Sequence, residues 1–99
     1  MKLPKTLKIA GHTYKIFFPY KFNKKIRLLG ECDVNSLTIK VADRDKEGIK
    51  LNNSTIKIIF LHEVLHAISF HYNCEINKER DIRSLSEGVF QVFKDNKIL

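Results

Sequence analysis

Two histidines and a glutamate stand together in an apolar stretch in the second half of the chain. His62 and His66 are four residues apart, and Glu63 directly follows the first histidine. On a helix, side chains four residues apart lie on one face, one turn from each other. Two imidazole nitrogens at that spacing can bind one metal ion, and the adjacent carboxylate can reach a water molecule on that ion without being a ligand itself. The pattern is typical of zinc-dependent hydrolysis.

The residues around this triplet favour a metal site over a chance occurrence. Between positions 58 and 68, His62, Glu63 and His66 supply the only polar side chains. Burying an imidazole or a carboxylate without a partner is costly, and a metal ion offsets that cost by binding the imidazoles. The alternative is a metal-free structural protein in which both histidines are hydrogen-bonded core residues.

The first 41 residues alternate apolar and polar side chains in short runs. They predict two β-hairpins whose strands cover residues 5–10 and 13–18, then 26–33 and 37–41. The first turn is placed at Gly11-His12, and Pro19 ends the second strand because proline cannot donate to the ladder. Residues 42–53 are polar and predict a loop.

From Ser54 the apolar residues recur at three- and four-residue steps, which predicts a helix over residues 53–73 that is nearly surrounded by protein and ends near Asn73. A second helix is predicted over residues 76–95. Its expected buried stripe is Ile82, Leu85, Val89 and Val92 or Phe93. Strands followed by helices predict an α+β fold, with a short antiparallel sheet packed against both helices in a single domain of residues 1–99.

Length and composition place the chain among ordinary globular proteins, with 99 residues, 43% apolar and 29% charged. It has no apolar run of membrane-spanning length and no signal-peptide pattern at its N-terminus. Cys32 and Cys74 lie too far apart in sequence for a CxxC motif and are interpreted as reduced thiols. These features predict a cytoplasmic protein without membrane contact.

The net charge of +7 is unevenly distributed. Residues 1–30 contain eight lysines and arginines and no acid, so residues 31–99 carry the remaining charge of −1. We favour a solvated sheet face, since exposed lysines protect strands from edge-to-edge pairing. The second interpretation is a weak contact of residues 1–30 with nucleic acid or an acidic partner.

A family resemblance extends these inferences. Residues 59–68, with uncharged positions around HExxH, resemble the extended zincin signature. The order of hairpins, HExxH helix and acidic helix is similar to compact gluzincin-type peptidases, and residues 30–33 and 85–96 resemble small metallopeptidases encoded by phages and mobile elements. The resemblance covers most of the chain and implies a zincin-like fold, bound Zn²⁺ and hydrolysis of a protein or peptide, with a regulatory protein as the suggested substrate.

The third zinc ligand is less clearly marked than the two histidines. A catalytic zinc normally has three protein ligands, and the metzincin position six residues after His66 is Tyr72. The resemblance to gluzincins places the ligand on the second helix. There, Glu79 followed by small and apolar positions resembles the glutamate helix of repressor-cleaving phage peptidases, with Glu87 as the main alternative. The remaining alternatives are His71, Cys74 and Asp81.

In this interpretation Glu63 is the general base, and an extended substrate lies along the strand of residues 37–41. His71 and Tyr72 are candidate donors to the transition-state oxyanion. A competing hypothesis is a non-catalytic, zinc-stabilised adaptor that binds DNA or a host protein through the basic hairpins.

Overall fold

A computed structural model describes residues 1–23, 25–73 and 78–96, and over this range the chain forms strands first and helices afterwards. The elements are β1 (Thr6–Ile9), β2 (His12–Phe17), β3 (Gly30–Asp33), β4 (Thr38–Val41), α1 (Asn53–His71) and α2 (Glu79–Asp95). The predicted α+β fold is confirmed. Neither described helix is long and apolar enough to cross a membrane. The start of the predicted second helix, residues 76 and 77, lies outside the described residues.

The four strands form one sheet in the order β1-β2-β4-β3. Both hairpins pair in antiparallel fashion, as predicted. Strands β2 and β4 pair in parallel, so the sheet is mixed where a wholly antiparallel sheet was expected. The reason is the long connection over residues 18–29, which carries the chain to the far edge before β4 returns to the centre. As a result, β3 is an edge strand and β4 is internal.

The turn of the first hairpin lies one residue earlier than predicted. Ala10 and Gly11 have φ angles of 53° and 80°, and His12 already pairs with Ile9. A two-residue turn with both φ angles positive matches the twist of the flanking strands. In the second hairpin β3 begins only at Gly30, four residues later than the predicted start at Ile26.

The hydrophobic core lies between one face of the sheet and α1. The buried residues of this cluster are Ile9, Tyr14, Ile16, Ile39, Val41, Ile56 and Ala67. Among the described elements, α1 packs on β1, β3 and β4, whereas α2 packs on α1 alone. Helix α1 therefore lies between the sheet and α2, which accounts for its apolar sequence on nearly every side.

The buried stripe of α2 agrees only in part with the predicted one. Ile82 is buried as predicted and Val89 and Phe93 are half-buried, but Leu85 and Val92 are exposed, and Ser86 and Phe90 are buried instead. The buried residues follow one i, i+4 row. Glu79 begins α2 three residues before Ile82, so packing this row on α1 also directs the Glu79 carboxylate toward the neighbouring helix.

Candidate metal centre

Helix α1 places His62 and His66 one turn apart on the same face. The helix starts after Asn52, whose side chain accepts a hydrogen bond from the Thr55 amide at 2.8 Å and caps the first turn. The Nε2 atoms of the two histidines are 3.1 Å apart. The i, i+4 spacing thus brings both imidazoles to one point, as the sequence predicted.

Glu79, the first residue of α2, supplies a carboxylate to both histidines. Its Oε1 lies 2.5 Å from the Nε2 of His62, and its Oε2 lies 3.0 Å from the Nε2 of His66. Two nitrogens and a carboxylate from separate helices therefore converge, and this group can hold a metal ion. These are the three residues that the sequence analysis favoured as ligands.

The alternative third ligands lie elsewhere or outside the described residues. Glu87 is exposed on α2, and Asp81 lies 3.4 Å from the Nε of Arg80. The Nε2 of His71 forms a 2.5 Å hydrogen bond with the Tyr14 hydroxyl, and the ring of His71 also stacks on that of His12 with centroids 4.4 Å apart. Cys74 lies outside the described residues.

The chemistry and spacing of the three donors fit zinc. Neutral imidazoles and a carboxylate are ordinary zinc ligands, with bonds of about 2.0–2.2 Å. Donors bound to one tetrahedral ion at those lengths lie roughly 3.3 Å apart. The two imidazole Nε2 atoms are 3.1 Å apart, whereas the distances of 2.5 and 3.0 Å involve different oxygens of Glu79. With one atom taken from each residue, the three donors lie within 4.8 Å of one another, close enough to surround a single ion.

Glu63 is a buried carboxyl next to the ligands. Its side chain faces β3 and is only 7% exposed. Burial, together with the nearby negative charges of Glu79 and Glu31, raises the pKa of Glu63 to about 8. A carboxyl group with a pKa near neutrality can both accept and release a proton at physiological pH.

Gly30 allows this close packing of β3 on α1. A Cβ atom at position 30 would lie 2.8 Å from the Oε2 of Glu63 and 2.7 Å from the Cγ2 of Ile59. Any larger residue would therefore push the strand away from the helix. The sequence analysis gave Gly30 no role in the site, because this approach depends on which strand packs beside Glu63.

Burial also acts on the first histidine. It lowers the pKa of His62, with the carboxylate of Glu79 opposing the shift. Desolvation disfavours the imidazolium, so His62 is biased toward the neutral form that binds metals.

A cleft of about 840 Å³ opens beside the three donors. Its walls include Glu63 and His66 from α1, Glu79 from α2, and Gly30 and Cys32 from β3. Within the described part of the chain β3 pairs with β4 alone, so the wall formed by β3 has a free strand edge.

The expected substrate position along residues 37–41 is therefore wrong. Both edges of β4 are already paired, with β2 on one side and β3 on the other. Strand order decides which edge is free, and the sequence predicted the hairpins without their order. Among the described residues, the cleft walls include neither His71 nor Tyr72, the two suggested oxyanion donors.

Two further features adjoin the cleft. Cys32 is a free thiol, and burial raises its pKa to about 12. A second cavity of about 800 Å³ is lined by residues 19–23, 26–29 and 42–48. Leu28 lines both cavities, so they meet just before the start of β3.

Comparison with known proteins leaves the family open. A scan against protein-family models, a search of curated proteins and a search of solved structures each found no match. The functional assignment therefore depends on the chemistry and geometry of these residues.

Proposed function

We propose that the protein is a zinc-dependent peptidase of the gluzincin type, with His62, His66 and Glu79 as metal ligands. The observation that carries the proposal is the position of the Glu79 carboxylate, within 3.0 Å of both imidazole Nε2 atoms and beside the buried Glu63. Histidines that are only hydrogen-bonded residues of the hydrophobic core would be buried away from solvent. Here His66 is 29% exposed and Glu79 is 59% exposed at the wall of an open cleft.

When bound, zinc supplies a Lewis acid that polarises a carbonyl group and acidifies a water molecule. Glu63 accepts the proton of the attacking water and then donates it to the leaving amine. Glu63 is only 7% exposed and packs against β3, which holds its carboxyl at the cleft beside the ligands. His62 and His66 offer imidazole nitrogens from one face of α1, and Glu79 supplies a carboxylate that favours a divalent cation.

The substrate class follows from the free edge of β3. An extended peptide can add to this edge through backbone hydrogen bonds, which places its carbonyl groups beside Glu63. Beyond Gly30, such a peptide reaches Leu28 and the second cavity, where Tyr20, Phe22 and Ile26 provide apolar lining. We therefore propose an extended segment of a protein, with an apolar side chain near the cleaved bond. A regulatory protein fits this description, and so does any unfolded chain.

The test is turnover by the zinc-loaded protein and its Glu63→Gln variant on a fluorogenic mixture of peptides with varied apolar residues. General acid–base catalysis contributes about 10²–10⁴-fold, so Glu63→Gln should lose at least about a hundredfold in rate while keeping the metal and the fold. Elemental analysis checks that the variant keeps the metal, and circular dichroism checks that it keeps the fold. Equal cleavage by the two proteins, or no cleavage by the zinc-loaded wild type, would contradict the peptidase and favour the adaptor.

A further inference from the structure

The face of the sheet opposite α1 is uncovered by any described element. Helix α1 packs on one side of the sheet, and α2 packs on α1. The side chains on the opposite side belong to alternate positions of the strands. On β1, β2 and β4 they are Thr6, Lys8, Thr13, Lys15, Phe17, Thr38 and Lys40. Those on β1 and β2 are exposed and those on β4 are half-buried. We call this surface the outer sheet face.

An aromatic ring lies between two lysines on the outer sheet face. Phe17 is 43% exposed at the end of β2. Lys15 stands two residues before Phe17 on the same strand, roughly 7 Å away, and Lys40 is its registered neighbour on β4, roughly 5 Å away. A large apolar side chain is thus partly exposed on this face, with lysines at two neighbouring backbone positions.

A second aromatic group continues this surface. The Nζ of Lys40 lies over the ring of Tyr20, 5.0 Å from its centroid. The ring of Phe22 packs edge-on against that of Tyr20, with centroids 4.8 Å apart. Aromatic faces and lysines therefore alternate from β2 into the segment that follows it.

Acids lie on β3 at one side of the outer sheet face, and Asp43, Asp45 and Glu47 line the cavity that Tyr20 and Phe22 also line. Glu31 lies 3.6 Å from the Nζ of Lys40, and Asp33 accepts hydrogen bonds from the amides of Asn35 and Ser36 in the adjacent turn. Residues 1–30 contain eight basic residues and no acid. On the outer sheet face, β1 and β2 therefore contribute lysines and no acidic residue, so this half of the face has a net positive charge.

We propose that the outer sheet face binds single-stranded nucleic acid. Lysines on adjacent strands attract the phosphates, and the exposed ring of Phe17 offers a face on which an unpaired base stacks. A single strand is favoured over a duplex because only unpaired bases expose their faces to an aromatic side chain. An acidic protein would use the lysines but would leave Phe17 without a role. The surface lies across the sheet from α1, so binding does not require the metal centre.

The test is fluorescence anisotropy with a labelled oligothymidine of about twelve nucleotides, measured between about 50 and 200 mM salt. The double variant Lys8→Glu/Lys15→Glu should weaken binding at least about tenfold and lower the salt slope by about 1.4 or more, since each lost phosphate contact contributes about 0.7. The matched control, Lys78→Glu/Lys94→Glu, makes the same change in net charge on exposed residues at the two ends of α2, outside the sheet. It should keep most of the affinity.

The variant Phe17→Ala separates stacking from charge. It should lose about fivefold or more in affinity with an unchanged salt slope. Absence of binding by the wild type, or equal losses in the two double variants, would overturn the proposal. Binding of polyglutamate as tight as that of the oligonucleotide, with Phe17→Ala neutral, would instead identify an acidic protein partner. Glu63→Gln should bind the oligonucleotide normally, so this result is independent of peptidase activity.

Discussion

The cleft and the outer sheet face carry polar groups in opposite arrangements. In the cleft, residues from α1, α2 and β3 converge on one point and are partly withdrawn from water. On the outer sheet face, lysines and threonines lie apart on adjacent strands, exposed on β1 and β2 and half-buried on β4. Burial in the cleft changes the chemistry of Glu63, whose pKa is raised to about 8. The separated side chains of the outer sheet face instead offer several independent contacts to a ligand.

The largest expected contrast is in thiol reactivity. Burial raises the pKa of Cys32 to about 12 from the ordinary value of 9.0, so the thiolate at pH 8 is about a thousandfold scarcer. In a Cys74→Ser background, alkylation of Cys32 by iodoacetamide should be at least about a hundredfold slower than that of an unfolded thiol. A Thr13→Cys variant on the outer sheet face, lacking both native cysteines, should react at the ordinary rate. Equal alkylation rates for Cys32 and for a cysteine at position 13 would contradict the expected difference between the cleft and the outer sheet face.

The next effect concerns stability and pH in the metal-free protein. The pKa of Glu63 is raised to about 8 in the folded state from the ordinary value of 4.5. Between those values the folded state keeps a proton that the unfolded state has lost. The free energy of unfolding therefore falls as pH rises from about 4.5 to 8, by up to roughly 1.4 kcal/mol per unit.

Urea denaturation of chelator-treated wild type and Glu63→Gln across this pH range measures the difference. The variant has no carboxyl group to ionise at position 63, so its free energy of unfolding relative to that of the wild type should increase with pH. A constant difference would show that Glu63 ionises in the folded state as easily as in the unfolded chain.

A smaller effect is expected from the packing of β3 on α1. Gly30→Ala places a methyl group within 3 Å of Glu63 and Ile59 and should destabilise the fold by about 1–3 kcal/mol. The matched control is Gly88→Ala on α2, where an added Cβ meets nothing within 4 Å and alanine favours the helix by up to about 1 kcal/mol. Urea denaturation midpoints would check both. Similar denaturation midpoints for the two variants would be inconsistent with the close packing of β3 on α1 at Gly30.

The smallest effect is expected on the outer sheet face. Lys15→Ala removes an exposed side chain and should change the free energy of unfolding by no more than about 0.5 kcal/mol. A destabilisation above about 1 kcal/mol, measured in the same urea series, would mean that the Lys15 side chain makes contacts that stabilise the fold.

The sequence was most informative where function depends on local spacing. His62, Glu63 and His66 are neighbours on one helix, and their geometry follows from its period. Glu79 meets them only through the packing of α2 on α1, and the spacing of the chain cannot specify that contact. The family resemblance favoured Glu79 over Glu87, and the structure brings Glu79 to the histidines.

Strand order was the main property that the sequence did not predict. The hairpins were visible as alternating runs, but the parallel pairing of β2 with β4 arises from tertiary packing. That pairing decides that β3 carries the free edge and that Gly30 faces Glu63. The difference between the predicted and observed buried stripe of α2 also arises from tertiary packing. The helical period allows either Leu85 or Ser86 to face α1, and the packing of the two helices buries Ser86.

The most direct test of the central claim is zinc stoichiometry of the purified wild type, His66→Ala, Glu79→Ala and the matched control Glu87→Ala, measured by elemental analysis. We expect one zinc ion per chain in the wild type and Glu87→Ala, loss of zinc in His66→Ala and weakened retention in Glu79→Ala. A wild type that takes up no zinc even when it is offered, or a Glu79→Ala variant that retains it as well as Glu87→Ala, would contradict the metal centre described.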